Sequence, residues 1–131
     1  MAKAAHSMIR VLDEDRAVAF YRDALGLDRI DTHRFDGFSL IYMSNAETGF
    51  EVELTVNGDR SEPYGHGDGY GHLAVVVDDL DAAHRRMAGL GYAPRDIRDF
   101  LKDGQLFARF FFVADPDGYQ IEVIQKGGRF I

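Results

Sequence analysis

The sequence predicts an α+β fold of two tandem βαβββ modules, and the prediction rests on a repeat and on a change of periodicity within each half. The two halves of the 131-residue chain match with a period of about 65 residues, which indicates a duplication. Each half starts with an alternating, strand-like segment, continues with a helical pattern and ends with further alternating segments. We therefore predict a single domain over residues 1–131, with module one at about 1–64 and module two at about 65–131.

Each half is predicted to begin with a strand and an amphipathic helix. The strands are His6–Val11 and His72–Val77. In the first half, Asp13 or Asp15 can cap the helix, and Gly26 suits the left-handed residue that ends it. Its apolar stripe is Ala17, Phe20, Tyr21, Ala24 and Leu25. The second helix repeats the pattern: Asp78 or Asp79 caps its start, and Gly91 ends it. Its apolar stripe is Leu80, Ala83, Met87 and Leu90.

Alternating stretches account for two of the three strands that follow each helix in this arrangement. They cover residues 37–43 and 50–56 in the first half and residues 107–114 and 120–125 in the second. The turn Asp115–Gly118 carries proline and glycine where a tight turn into the last strand needs them. One face of each sheet is thus covered by a helix, and the other face is free to form a concave cavity.

Each half contains one histidine near its first strand and one glutamate in its last strand. The pairs are His6 with Glu53 and His72 with Glu122, separated by 47 and 50 residues. Alternation puts all four side chains on the helix-free faces. A lone histidine at a strand end is usually a hydrogen-bonded residue, and a lone glutamate is usually solvated, as we interpret Glu51. Because the same pairing recurs in both halves, we predict a divalent metal site and an enzyme.

The composition argues against several other classes of protein. Apolar residues make up 46% of the chain and charged residues 28%, as in ordinary globular proteins, and no apolar run approaches the ~20 residues of a membrane span. The net charge of −7 argues against nucleic-acid binding. The absence of cysteine excludes disulfides and thiolate ligands. No signal-peptide pattern is present, so we expect a cytoplasmic protein that binds neither nucleic acid nor membrane.

Four segments of the chain match the pattern of a known family, namely His6-Ser7-Met8-Ile9-Arg10-Val11, Glu53-Leu54-Thr55-Val56-Asn57, Tyr70-Gly71-His72-Leu73-Ala74 and Asp115-Pro116-Asp117-Gly118-Tyr119-Gln120-Ile121-Glu122. With these segments the chain resembles glyoxalase I (lactoylglutathione lyase) of the vicinal oxygen chelate superfamily over nearly its whole length. The fourth segment is common to much of the superfamily, whereas the first two together are more particular to glyoxalase I. The resemblance implies the glyoxalase/bleomycin-resistance-like fold and a homodimer whose active sites each combine one module of each subunit.

The resemblance also assigns roles to individual residues. It implies four metal ligands (His6, Glu53, His72 and Glu122), contacts from Arg10 and Asn57 to the γ-glutamyl end of glutathione, and a loop around Lys102 or Arg98 for its glycine carboxylate. Histidine at the first ligand position resembles the nickel- or cobalt-activated form, with zinc or iron as alternatives. The implied reaction isomerises the hemithioacetal of glutathione and methylglyoxal to S-lactoylglutathione through a metal-stabilised ene-diolate. Glu122 is the implied base, with Glu53 acting on the opposite face.

Two alternatives stay open at the level of the sequence. One is another metalloenzyme of the superfamily, a thiol transferase or an extradiol dioxygenase. The other is a metal-free binding protein that sequesters a ligand. Four intact candidate ligands weigh against both, because the first class typically uses three protein ligands and the second uses none.

Overall fold

The computed structural model describes all residues, Met1–Ile131, and the chain forms two compact units, Met1–Gly65 and His66–Ile131. Both units follow the order strand, helix, three strands, and each has one four-stranded sheet. The predicted α+β class and the tandem βαβββ arrangement are confirmed. No helix in either unit combines the length and the apolar character needed to span a membrane.

The first unit builds its sheet in the order β1-β4-β3-β2, with β1 parallel to β4 and the other pairs antiparallel. Its elements are β1 His6–Arg10, α1 Glu14–Asp23, β2 Asp28–Phe35, β3 Phe38–Ser44 and β4 Glu51–Asn57. The central position of β4 matters most, because it brings the glutamates of that strand beside β1 on one side and β3 on the other.

Helix α1 forms where its capping residues and its apolar stripe predict it. The side chain of Asp13 accepts a hydrogen bond from the Arg16 backbone N–H at 2.9 Å, and Gly26 has a φ of +70° just after the helix. Four of the five predicted stripe residues are buried, with Phe20 and Tyr21 at most 1% exposed, whereas Leu25 lies beyond the helix and is only half-buried. Burying side chains of this size supplies most of the apolar stabilisation of the unit.

The second unit repeats this plan in the order β5-β8-β7-β6, with β5 parallel to β8. Its elements are β5 Leu73–Val77, α2 Leu80–Gly89, β6 Arg98–Lys102, β7 Gln105–Ala114 and β8 Gln120–Gln125. Asp79 caps α2 by accepting from the Ala82 N–H at 3.0 Å, and Gly91 has a φ of +88°. The prediction that Leu90 belongs to the buried stripe is wrong: the helix ends at Gly89, and Leu90 is 45% exposed.

The segment around Arg98 and Lys102, which the resemblance implied to be a loop, is part of a hairpin. Arg98–Lys102 is strand β6, which forms a hairpin with β7 through Asp103 and Gly104, both at positive φ. All five β6 residues are exposed, and only one of the eight β2 residues is not. An edge strand that buries neither face carries no apolar–polar alternation, so the sequence pattern did not reveal β2 or β6.

Candidate metal centre

The first histidine–glutamate pair is formed across the parallel strands β1 and β4. His6 Nε2 lies 2.8 Å from Glu53 Oε2. Met8 is the register partner of Glu53, so His6 reaches Glu53 from two residues earlier in its own strand. The Glu53 side chain is 11% exposed and that of His6 is 41% exposed. A carboxylate removed from water is therefore held against an imidazole that remains accessible.

The second pair repeats this geometry within the second unit. His72 directly precedes β5, and its Nε2 lies 2.8 Å from Glu122 Oε2. Ala74 is the register partner of Glu122, so His72 also reaches its glutamate from two residues earlier. The predicted pairing within each half is thus present in the structure, with the same offset and the same distance in both units.

The two pairs offer a donor set that fits a divalent transition metal. Imidazole nitrogen and carboxylate oxygen suit nickel, cobalt, zinc and iron. Two ligands bound to one ion at about 2.1 Å and at right angles would lie about 3 Å apart, which is close to the separation in each pair. Each unit supplies two such ligands, and within neither unit do three His, Asp or Glu side chains form a metal-holding group.

Tyr42 is a residue of this site that the sequence patterns did not reveal. It is the cross-strand partner of Glu53 in the antiparallel pair β3–β4, so its hydroxyl is a donor available to the Glu53 carboxylate. Burial raises the pKa of the Tyr42 hydroxyl, and the hydrogen bond to Glu53 and the charge of that carboxylate raise it further. The hydroxyl therefore keeps its proton at neutral pH and acts as the donor. One signal in the sequence could have revealed Tyr42: when the two halves are aligned, Tyr42 falls at the position of Phe112, so only the first half has a hydroxyl there.

Two of the predicted substrate contacts lie on the sheet face that carries the first pair. Arg10 ends β1, is exposed and pairs in register with Thr55. Asn57 ends β4 two residues later, and its Nδ2 donates to the Tyr64 hydroxyl at 3.1 Å. Alternation places Arg10 and Asn57 on the same face as His6 and Glu53. The first unit thus brings an acid-binding guanidinium and an amide onto the face that carries the pair.

Lys102 lies far from the pair of its own unit. It ends β6 opposite Gln105, whereas Glu122 pairs with Phe112 on the other side of β7. Gln105 and Phe112 are seven positions apart along β7, which amounts to roughly 20 Å. Lys102 instead borders a cavity of ≈ 300 Å³ whose lining is Lys102, Asp103, Gln105, Leu106 and Phe107. The role that the resemblance implies for Lys102, a contact to the glycine carboxylate of glutathione, stays a prediction, because that carboxylate need not lie beside the metal pair.

The three remaining histidines have other surroundings. His33 Nε2 lies 2.9 Å from an Asp31 carboxylate oxygen on the same strand. His84 Nε2 lies 2.9 Å from the backbone oxygen of Arg95. His66 stacks on Tyr119 with ring centroids 4.0 Å apart and an interplanar angle of 11°. None of the three forms a histidine–glutamate pair.

Comparison with known proteins shows the family to which the chain belongs. Residues 3–123 match the model of the Glyoxalase/Bleomycin resistance protein/Dioxygenase superfamily. The lactoylglutathione lyase of Haemophilus influenzae is 35% identical over 125 residues, covering 92% of this chain and 90% of that protein. The lactoylglutathione lyase of Neisseria meningitidis serogroup A is 38% identical over 125 residues, covering 92% of this chain and 88% of that protein.

Solved structures show the same similarity. The trypanothione-dependent glyoxalase I of Leishmania major matches with a TM-score of 0.76 and 29% identity, covering 95% of this chain and 87% of that chain. Glyoxalase I from Zea mays matches with a TM-score of 0.82 and 28% identity over 94% of this chain. The present chain spans only 44% of the length of the maize protein.

Proposed function

The chain belongs to the Glyoxalase/Bleomycin resistance protein/Dioxygenase superfamily, and from this membership we propose that it is a lyase of the lactoylglutathione lyase type. The single observation that supports the proposal most is the repeated histidine–glutamate pair, at 2.8 Å in both units. Relatives named lactoylglutathione lyase, similar over 92% of the chain, support the same activity. The proposed substrate is the hemithioacetal that methylglyoxal forms with a thiol, glutathione in the first place.

The proposed reaction is an internal redox isomerisation with no net gain or loss of atoms. A proton leaves the carbon that is bonded to sulfur, and a proton returns to the neighbouring carbonyl carbon. The first carbon is oxidised from the hemithioacetal to the thioester, and the second is reduced from the ketone to the alcohol. Negative charge develops on the two neighbouring oxygens between these steps, so the enzyme must stabilise that charge and carry one proton.

We assign the metal ligands to His6, Glu53, His72 and Glu122, with nickel or cobalt ahead of zinc or iron. When bound, a divalent ion supplies Lewis-acid stabilisation of the negative charge on the substrate oxygens. The imidazole and carboxylate donors support this choice over magnesium or calcium, which prefer all-oxygen sites.

The roles that we propose for the protein groups are those that the resemblance to glyoxalase I implies. Glu122 removes the proton from the sulfur-bearing carbon and returns it to the neighbouring carbon, and the role implied for Glu53 is to act on the opposite face of the substrate. The guanidinium of Arg10 binds the substrate carboxylate at the γ-glutamyl end, because it can form two parallel charge-assisted hydrogen bonds. Asn57, which borders the same face, contributes an amide to that end.

The metal assay tests the proposed function directly. The protein is freed of metal, reloaded with Ni²⁺, Co²⁺, Zn²⁺ or Fe²⁺ singly, and mixed with methylglyoxal and glutathione while the thioester absorbance is followed. We expect no turnover without metal and the highest turnover with nickel or cobalt. The assay is repeated with trypanothione, since one similar enzyme depends on that thiol. The proposed function would be refuted if the protein binds metal but forms the thioester with none of the metals and neither thiol.

We further propose that the active enzyme is a homodimer in which each site combines the pair of one subunit's first unit with the pair of the other's second unit. One unit supplies two ligands, so a four-ligand site needs two units. Two inactive variants test this arrangement: one carries His6→Ala and Glu53→Gln, and the other carries His72→Ala and Glu122→Gln. Mixing them after dissociation should restore about a quarter of the wild-type activity, because each mixed dimer then regains one intact site.

The control for this experiment is each variant dissociated and reassociated alone, which should stay inactive. The formation of mixed dimers is followed with two different affinity tags. Mixed dimers that form and remain inactive would rule out sites shared between subunits.

A further inference from the structure

The two histidine–glutamate pairs have cross-strand neighbours that differ by one oxygen atom. In the first unit, Tyr42 is the cross-strand partner of Glu53; in the second, Phe112 is the cross-strand partner of Glu122. Both rings lie edge-on to the histidine of their pair. The centroid distance is 5.9 Å at 74° for His6 and Tyr42, and 5.2 Å at 79° for His72 and Phe112. The two rings thus occupy equivalent places, and Tyr42 adds a hydroxyl.

That hydroxyl gives Glu53 a second polar partner. Glu53 is bound by His6 at 2.8 Å, and its cross-strand partner Tyr42 offers it a hydroxyl donor whose pKa the Glu53 carboxylate raises. Glu122 is bound by His72 at the same distance, and Phe112 offers it no hydrogen-bond donor. The Glu122 side chain is also the more exposed of the two, at 18% against 11%.

Further contacts hold Tyr42 in place. His33 packs edge-on against the Tyr42 ring with centroids 6.2 Å apart, and Asp31 holds His33 at 2.9 Å. Together with His6, these contacts support the ring from two sides. A donor that is itself held in position restrains the orientation of the carboxylate that it binds.

A carboxylate that serves as a ligand and one that moves a proton need different surroundings. A fixed ligand gains from a second hydrogen bond, because charge-assisted bonds are strong and orient the group. A base must turn toward the substrate carbon, so any bond that restrains it opposes the reaction. A hydrogen bond also occupies a lone pair that would otherwise accept the proton.

We propose that Tyr42 is a positioning residue that keeps Glu53 as a fixed metal ligand, while Phe112, lacking a hydroxyl, leaves Glu122 free to act as the base. This inference rests on the proposed function, since it concerns which carboxylate of the lyase moves the proton. It explains how two pairs with the same geometry acquire different tasks.

The test exchanges the one atom that differs, with Tyr42→Phe and Phe112→Tyr prepared as separate variants. Metal affinity of the metal-free proteins for Ni²⁺ and Co²⁺ is measured by calorimetry, and kcat and KM are measured on the reloaded enzymes. Tyr42→Phe should bind metal about 10-fold more weakly and keep kcat within about threefold of the wild type. Phe112→Tyr should bind metal no more weakly and lose about 10-fold in kcat.

The cobalt-loaded proteins provide a readout that does not need turnover. The visible absorption of bound Co²⁺ reports its ligand geometry, so we expect the spectrum to change in Tyr42→Phe. Tyr92→Phe is the matched control, because it removes a tyrosine hydroxyl from the segment that follows α2, and it should change neither the spectrum nor the affinity. Tyr42→Phe deletes one oxygen and retains the ring, so it decides the question even where Phe112→Tyr does not fold.

Two results would overturn the inference: a metal affinity of Tyr42→Phe within about twofold of the wild type, or an unchanged kcat in a folded Phe112→Tyr. A wild-type protein that binds metal but forms no thioester would refute the proposed function instead. In that case the affinity and the cobalt spectrum still decide whether Tyr42 holds Glu53.

Discussion

Replacing Glu122 with glutamine is expected to lower kcat by about 10³-fold, because general acid–base catalysis contributes 10²- to 10⁴-fold and an amide cannot accept the proton. Glutamine has nearly the same shape and can still bind a metal through its oxygen. The fold and KM should therefore change little. Steady-state kinetics on metal-loaded protein measures the effect, with metal content determined in the same samples so that lost metal is not mistaken for lost catalysis.

Glu51→Gln is the matched control for this loss, since it makes the same chemical change at a half-buried carboxylate that belongs to neither pair. It should retain kcat within about twofold. A second check follows exchange of the substrate C–H proton with deuterated solvent, which should disappear in Glu122→Gln. If Glu122→Gln keeps more than about a tenth of the wild-type kcat, Glu122 is not the base.

Replacing His72 with alanine should weaken metal binding by more than about 100-fold, since losing even an outer partner of a ligand costs 10- to 100-fold. The change removes the donor nitrogen that lies 2.8 Å from Glu122. It also leaves that carboxylate without its imidazole partner. Calorimetric titration of the metal-free variant with Ni²⁺ or Co²⁺ measures the loss, and turnover should fall with metal occupancy.

His84→Ala serves as the control in the same unit. His84 hydrogen-bonds the backbone oxygen of Arg95, so its loss should cost about 1 kcal/mol of stability and leave metal affinity unchanged. His6→Ala should behave like His72→Ala, because the two pairs share one geometry. Equal metal affinity in His72→Ala and His84→Ala would exclude His72 as a ligand.

The parts of the fold that bury apolar residues were predictable from the sequence. Both helices lie where the spacing placed them, and their caps are Asp13 and Asp79. The strands β3, β4, β7 and β8 match their alternating stretches to within one or two residues. Each of these elements buries one face, so its periodicity is imposed by the core. β2 and β6 are exposed edge strands, and no core imposes a pattern on them.

The candidate site was likewise only partly predictable from the sequence. His6 and Glu53, like His72 and Glu122, were paired from the sequence because the duplication repeated them at similar separations. Tyr42 escaped notice because its position opposite Glu53 depends on how β3 aligns with β4. Lys102 was placed by resemblance alone, and the hairpin β6–β7 sets it roughly 20 Å from Glu122 along the strand.

The sequence by itself determined the duplicated α+β plan, the two helices and the membership of each histidine–glutamate pair. These follow from periodicity and repetition, which are properties of residues close together in the chain. Only the tertiary structure decided that the pairs have equal distances and unequal neighbours, with a tyrosine hydroxyl beside Glu53 and a bare phenyl ring beside Glu122. Alternation sets the face on which a side chain lies, whereas its cross-strand neighbour is set by the register between strands, and register is decided when the sheet assembles.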